Sequence, residues 1–170
     1  MRSVVILGHL MALLALAGCR APPPFAEYSY PAWGFAVSFR EPPKVTDYAP
    51  SADGKRRHTF LVESLLAGRD DLVNVVDGIG SPKSDDEVLA SAPAALASYV
   101  GGTAGPVTYS ATGSVIGREF LLSRPGKPTS RVRIFVASQH LYEVISQSAL
   151  GPDDPEVTSF LASFRLLKAP

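Results

Sequence analysis

"RVRIFVASQHLYEVISQ", Arg131–Gln147, decides how this chain folds. It holds two runs rich in β-branched and aromatic residues, Arg131–Ser138 and His140–Gln147, with a single residue between them. Val132, Ile134 and Val136 share one face of the first run; Tyr142, Val144 and Ser146 share one face of the second. A period of two marks strands, and so short a connection requires a tight hairpin. The two strands are therefore antiparallel neighbours, and the rest of the chain is read around them.

Upstream, Phe35, Val37 and Phe39 alternate with Ala36 and Ser38 until Glu41-Pro42-Pro43 ends the run. Phe60 and Val62 mark a second strand, and Leu72–Ile79 a third, preceded by Asp70-Asp71 and stopped by Gly80-Ser81-Pro82. Ser84-Asp85-Asp86-Glu87 has the spacing of a capping box, with three acids at the positive end of the helix it opens. Val88, Leu89, Ala92, Ala95, Leu96, Tyr99 and Val100 then recur at helical spacing, and Gly101-Gly102 closes the helix. Pro93 inside it predicts a kink or two short helices.

Val107–Ala111 and Arg118–Arg124 precede the hairpin as strands. After the hairpin, Asp154 and Pro155 read as the cap and first position of a last helix, with Val157, Phe160, Leu161 and Phe164 as its buried stripe. The order is three strands, a helix, four strands and a helix. It predicts an α+β fold, an antiparallel sheet of about six or seven strands flanked by two main helices.

Four segments, "GFAVSFREPP" (Gly34–Pro43), "GREFLLSR" (Gly117–Arg124), "RVRIFVASQHLYEVI" (Arg131–Ile145) and "FLASFRLL" (Phe160–Leu167), resemble the PsbP-like group. The resemblance spans most of residues 34–167 and implies a sandwich with an antiparallel sheet between helices. That group includes an extrinsic photosystem subunit and a Ran-binding nuclear-import factor. The shared motifs concern packing, and no functional residue carries over from them.

The N-terminus has the layout of a secretory signal over residues 1–18: Arg2, an apolar run Val4–Leu16 broken only by His9, then small Ala17-Gly18. The run is short for a helix crossing a hydrocarbon core of ~30 Å. Leu16-Ala17-Gly18-Cys19 resembles the lipobox of bacterial lipoproteins. The resemblance implies cleavage before Cys19, lipidation of its sulfur and acylation of the new N-terminus. Stable anchoring takes more than one acyl chain, which this arrangement supplies. Residues 19–33, with Pro22-Pro23-Pro24, read as an extended tether, and 34–170 as one domain. Tyr28, Tyr30 and Trp33 are expected to dock on the sheet edge. Arg20 follows the cysteine where an aspartate would mark inner-membrane retention in enterobacterial lipoproteins. The expected location is the envelope, with the periplasmic face of the outer membrane favoured in a host with two membranes.

Cys19 is the sole cysteine, so the domain must hold itself together by its core rather than by disulfides. The chain carries 16 basic and 16 acidic side chains, a balance that argues against nucleic acid as a partner. Chemistry is sparse. His58 follows Lys55-Arg56-Arg57 and His140 lies at the hairpin turn, each alone in its segment and read as a surface or turn histidine. No zinc-type ligand spacing is visible, and Asp70-Asp71, Asp85-Asp86-Glu87 and Asp153-Asp154 are explained by capping or solvation. "GGTAG", Gly101–Gly105, lacks the lysine of a phosphate loop, and "GSVIG", Gly113–Gly117, is no nucleophile elbow. Lys55-Arg56-Arg57 reads as a solvated loop with the capacity to touch anionic headgroups, and Arg131 with Arg133 as a solvent-facing row.

The site expected from sequence is therefore Cys19, for lipidation, with no catalytic, cofactor or metal residues. The expected function is a non-enzymatic envelope lipoprotein, held to the membrane by its lipid, that binds an envelope protein partner or supports a complex. The alternative is a binder of a small hydrophobic or anionic ligand, in a cleft between the sheet and the Pro93 helix.

Overall fold

The computed structural model describes residues 24–50, 54–64, 68–78 and 83–167. The expected signal, residues 1–18, and Cys19 lie outside them.

The hairpin forms as the sequence requires. β9 (Ser130–Ala137) and β10 (His140–Ser148) pair antiparallel, with Val136 opposite Leu141 and Ile134 opposite Glu143. Ser138 and Gln139 both take positive φ, 51° and 65°, as a two-residue turn matched to strand twist demands. These two strands sit inside an eight-stranded antiparallel sheet. Its other members are β3 (Lys44–Asp47), β4 (Arg57–Ser64), β5 (Arg69–Asp77), β6 (Thr103–Ala104), β7 (Thr108–Thr112) and β8 (Val115–Ser123). They run in the order β3-β4-β5-β10-β9-β8, and β7 and β6 pair with successive stretches of the outer side of β8.

A second sheet of three strands joins β1 (Ala26–Tyr30), β2 (Phe35–Phe39) and β11 (Arg165–Leu166). The helices are α1 (Asp85–Tyr99) and α2 (Pro155–Ser163). α1 packs over β9 and β8 on one face of the large sheet, where Leu89, Ala92, Leu96 and Ala97 meet Phe120, Val132, Ile134 and Val136. The small sheet and α2 cover the other face. There Phe35, Val37 and Phe39 join Val157, Phe160 and Leu161 against Phe60, Val73, Val75 and Val144.

This corrects the expected architecture. The fold is predominantly β, with two sheets, and is not one sheet of six or seven strands flanked by two helices, the sandwich that the PsbP-like resemblance implied. The physical reason lies in the strands. β6 and β11 have two residues each and β3 has four, too few to show a period. The strand of Phe35–Phe39 leaves the large sheet and is buried on both sides, so it seeds a separate layer. Residues read as the end of the tether supply its partner: Tyr28 and Tyr30 of β1 pack against that core beside Trp33.

Both helix starts match expectation. Ser84 and Glu87 form the full capping box, and Asp154 caps α2 with Pro155 following it. Pro93 does not divide α1, which runs as one 15-residue helix. Proline has no N–H to offer the Leu89 carbonyl, but the helix continues through it and the residue is buried.

An ion network with a buried centre at Arg69 and Asp71 fastens α2 through half-buried Glu156. Arg69 grips Asp71 through Nε at 3.1 Å and Nη2 at 2.5 Å, and reaches Glu156 at 2.6 Å with its third nitrogen. Arg40 pairs with the other Glu156 oxygen, and both guanidinium groups lie against the Phe25 ring. Asp71 also accepts from Ser146 at 2.6 Å. Burial raises the Asp71 carboxyl above its usual range, outweighing the Arg69 and Ser146 contacts that lower it.

Candidate functional site

α1 roofs the β8–β9 half of its sheet face and leaves the β3–β4–β5 half open, so a cleft runs beside the helix. Antiparallel register arranges its floor in three rows across β4, β5 and β10. The first is Arg57–Val76–Leu141, the second Thr59–Asn74–Glu143, the third Leu61–Leu72–Ile145. Residues two apart on a strand point to one face, so these rows follow directly from the pairing.

The middle row is a polar belt between apolar ones. Thr59 Oγ1 donates to Asn74 Oδ1 at 2.6 Å, and Asn74 Nδ2 donates to Glu143 Oε2 at 2.9 Å. Arg57 Nη1 donates to the same oxygen at 2.7 Å. Glu143 is 3% exposed and Asn74 7%, and a carboxylate so deep is tolerable only with this pairing. The belt is complete within itself, which holds Arg57 at the edge of the floor.

Above the first row the cleft widens into a cavity of ≈ 440 Å³. Val88, Ala92, Ala95 and Leu96 of α1 form one wall, Arg57, Val76 and Leu141 the floor, and Lys55 and Lys83 complete the lining. This volume lies in the range of small-molecule sites, as does the pattern of apolar walls with a few placed charges. A second cavity of ≈ 240 Å³ follows along the strands, floored by Leu61, Leu72 and Ile145 and closed by Val100 and Leu122.

The two histidines are not the isolated groups that the sequence suggested. At one end of the large sheet, on the face opposite the cleft, Asp77 joins them. His58 Nε2 lies 3.0 Å from Asp77 Oδ2 and its Nδ1 2.7 Å from Asp47 Oδ1. His140 Nε2 is 3.2 Å from Asp77 Oδ1, an ion-pair distance. Burial opposes charge on His58, but the hydrogen bonds and charges of Asp47 and Asp77 prevail and raise its pKa above the ordinary value. Trp33 covers the His58 ring at 5.5 Å between centroids. Tyr142 donates to the Trp33 carbonyl at 2.9 Å, and burial, with the Asp77 charge, pushes its phenol up to about 12.

Among the described residues no group of three His, Cys, Asp or Glu side chains is placed to hold a metal ion, and no helix is long and apolar enough to cross a membrane. Arg131 and Arg133 do not form a solvent-facing row. They clasp Glu119 between them, with Nε distances of 2.7 and 2.6 Å, and reach Thr158 and the Leu161 carbonyl of α2. Glu119 is held below the usual carboxylate range: burial raises it, but the two guanidinium groups more than offset that. Cys19 lies outside the described residues.

The cleft lies beside the Pro93 helix, but without the kink from which the sequence reading argued it. Sequence reasoning missed the belt, because Thr59, Asn74 and Glu143 meet only through the register of three strands. The one signal was a glutamate inside an otherwise apolar strand run, Leu141–Ile145. No family model matches the chain, and no curated protein matches it significantly.

Proposed function

We propose that the chain is an envelope lipoprotein, attached through Cys19, whose domain is a non-enzymatic receptor or carrier for a small ligand with an apolar body and an anionic group. The observation that carries this reading is the cleft: an apolar cavity of ≈ 440 Å³ beside α1 whose lining includes Lys55 and Lys83. Apolar area supplies the driving force for entry, and cations in the lining fix the orientation of the ligand. Support for a binding role without catalysis comes from the commitments of the polar groups. The belt of the floor is paired within itself, and both histidines face the other side of the sheet. Compared with the envelope-protein-partner expectation, the geometry favours the small-ligand alternative.

Ala95 is exposed and lines the cavity, so Ala95→Trp fills the space from the helix surface without entering the core. Mass spectrometry of small acids extracted with the purified full chain is expected to find a species in the wild type that falls about tenfold or more in the variant, since a blocked cavity forfeits its hydrophobic contacts. Equal recovery from both proteins refutes the cleft as the binding site.

A further inference from the structure

The two cavities share three lining residues: Arg57, Leu96 and Tyr99. Leu96 belongs to the wall and Arg57 to the floor. Tyr99 is different. It is the last residue of α1, it is 69% exposed, and its ring lies over the Arg57 guanidinium, 4.7 Å from carbon to centroid. The contact between ring and cation therefore borders both cavities. Exposed contacts of this kind are weak, and a side chain on the final turn of a helix has solvent to rotate into.

Beyond this contact the floor continues unbroken. The row Arg57–Val76–Leu141 is followed by the belt and then by Leu61–Leu72–Ile145, all on one face of the same three strands. Successive rows are about 6.6 Å apart, twice the strand rise, so the floor extends roughly 13 Å from first row to third. Two cations, Lys55 and Lys83, line the first cavity alone; the second is floored by Leu61, Leu72 and Ile145, and the cation particular to it, Arg124, is engaged by Gln147 Oε1 at 2.7 Å.

Resting on the cleft reading above, we propose that Tyr99 is a gate dividing one elongated groove, and that the ligand is a linear amphipathic anion. Its acidic head sits at Lys55 and Lys83, and its chain passes under Tyr99, over the belt, to the Leu61–Leu72–Ile145 end. With the gate closed, the first cavity accepts a short chain. A long chain must displace the Tyr99 ring from Arg57, and its affinity falls by the fraction of time the gate stands closed. Tyr99 thus sets chain-length preference without belonging to either end of the site.

The test uses the full chain in membranes and straight-chain fatty carboxylates of eight and sixteen carbons, each bearing a photoreactive diazirine at the terminal carbon. Crosslinked peptides are mapped by mass spectrometry. The eight-carbon probe is expected to label around Val88, Ala92 and Leu141, and the sixteen-carbon probe around Leu61, Leu72 and Ile145. Tyr99→Ala should raise far-end labelling by the long probe about fivefold, the release of a gate closed most of the time. Tyr99→Phe, which keeps the ring on Arg57, should match the wild type. Fatty alcohols of the same lengths, or Lys55→Ala with Lys83→Ala, should label about fivefold less than the acids on the wild type, because the charged head loses its partners. Labelling of the cleft by neither probe overturns the cleft reading itself. Short-probe labelling with no response of the long probe to Tyr99→Ala overturns the gate alone, and equal labelling by acid and alcohol overturns the anionic head.

Discussion

His58 shows how a residue that looks idle in sequence becomes a stabilising element in the fold. Its ring bridges two carboxylates, Asp47 and Asp77, and its folded pKa lies above the unfolded value of about 6.5. A raised pKa means that the folded state binds the proton more tightly. The stabilisation is therefore fully present below about pH 6.5 and is lost as pH rises through the folded pKa. Melting temperature followed from pH 6 to pH 9 should fall over that window in the wild type, and His58→Asn should flatten that part of the profile. A profile unchanged by the substitution means that the bridge contributes nothing. Neither carboxylate is near His58 in sequence, so only strand register reveals the bridge: Asp47 faces His58 across β3–β4, and Asp77 faces His140 across β5–β10.

At the scale of elements, the β8–β9 seam leaves no room for a side chain at Gly117. A Cβ on Gly117 would lie 2.1 Å from the Ile134 carbonyl oxygen and 2.5 Å from a ring carbon of Phe135, and backbone cannot yield as a side-chain tip can. Gly117→Ala should destabilise the domain by at least the about 1–3 kcal/mol typical of overpacking, measured by urea denaturation. Gly126→Ala, at a turn where a Cβ meets nothing within 4 Å but φ is +67°, should cost less. The sequence displays these elements unequally. Long alternating runs such as Arg131–Ser138 and capped helices such as Ser84–Tyr99 carry their own pattern and are readable. β3, β6 and β11 exist because a neighbouring strand offers an edge, and β1 because β2 needs a partner, so nothing local announces them. The cleft divides likewise. Its helical wall is written in the spacing of Val88, Ala92, Ala95 and Leu96, while its floor depends on pairings between distant strands.

For the whole molecule, the strands set a direction. The described chain begins beside Phe25, whose ring touches Arg69 at the start of β5; the cavity mouth lies at the other end of β5, around Val76 and Gly78. Nine residues of extended strand separate these ends by roughly 26 Å. An anchor at Cys19 would join the described domain at the end of β5 opposite the mouth. Cys19→Ala should therefore move the protein out of the membrane fraction, scored by fractionation and blotting, while the acid extracted with it stays the same. Continued sedimentation with membranes rejects the anchor. Loss of the acid from Cys19→Ala, with its recovery from the wild type, shows that the bilayer and not the cleft holds it.

The covering of His58 by Trp33 has one more consequence. The chain contains a single tryptophan, and its indole lies 5.5 Å from the imidazole at one end of the large sheet. A protonated imidazole quenches indole emission at such range, so the fluorescence of the unlabelled protein doubles as a readout of the proton on His58. The molecule carries its own optical pH electrode, and one titration of emission intensity reads the bridge from within.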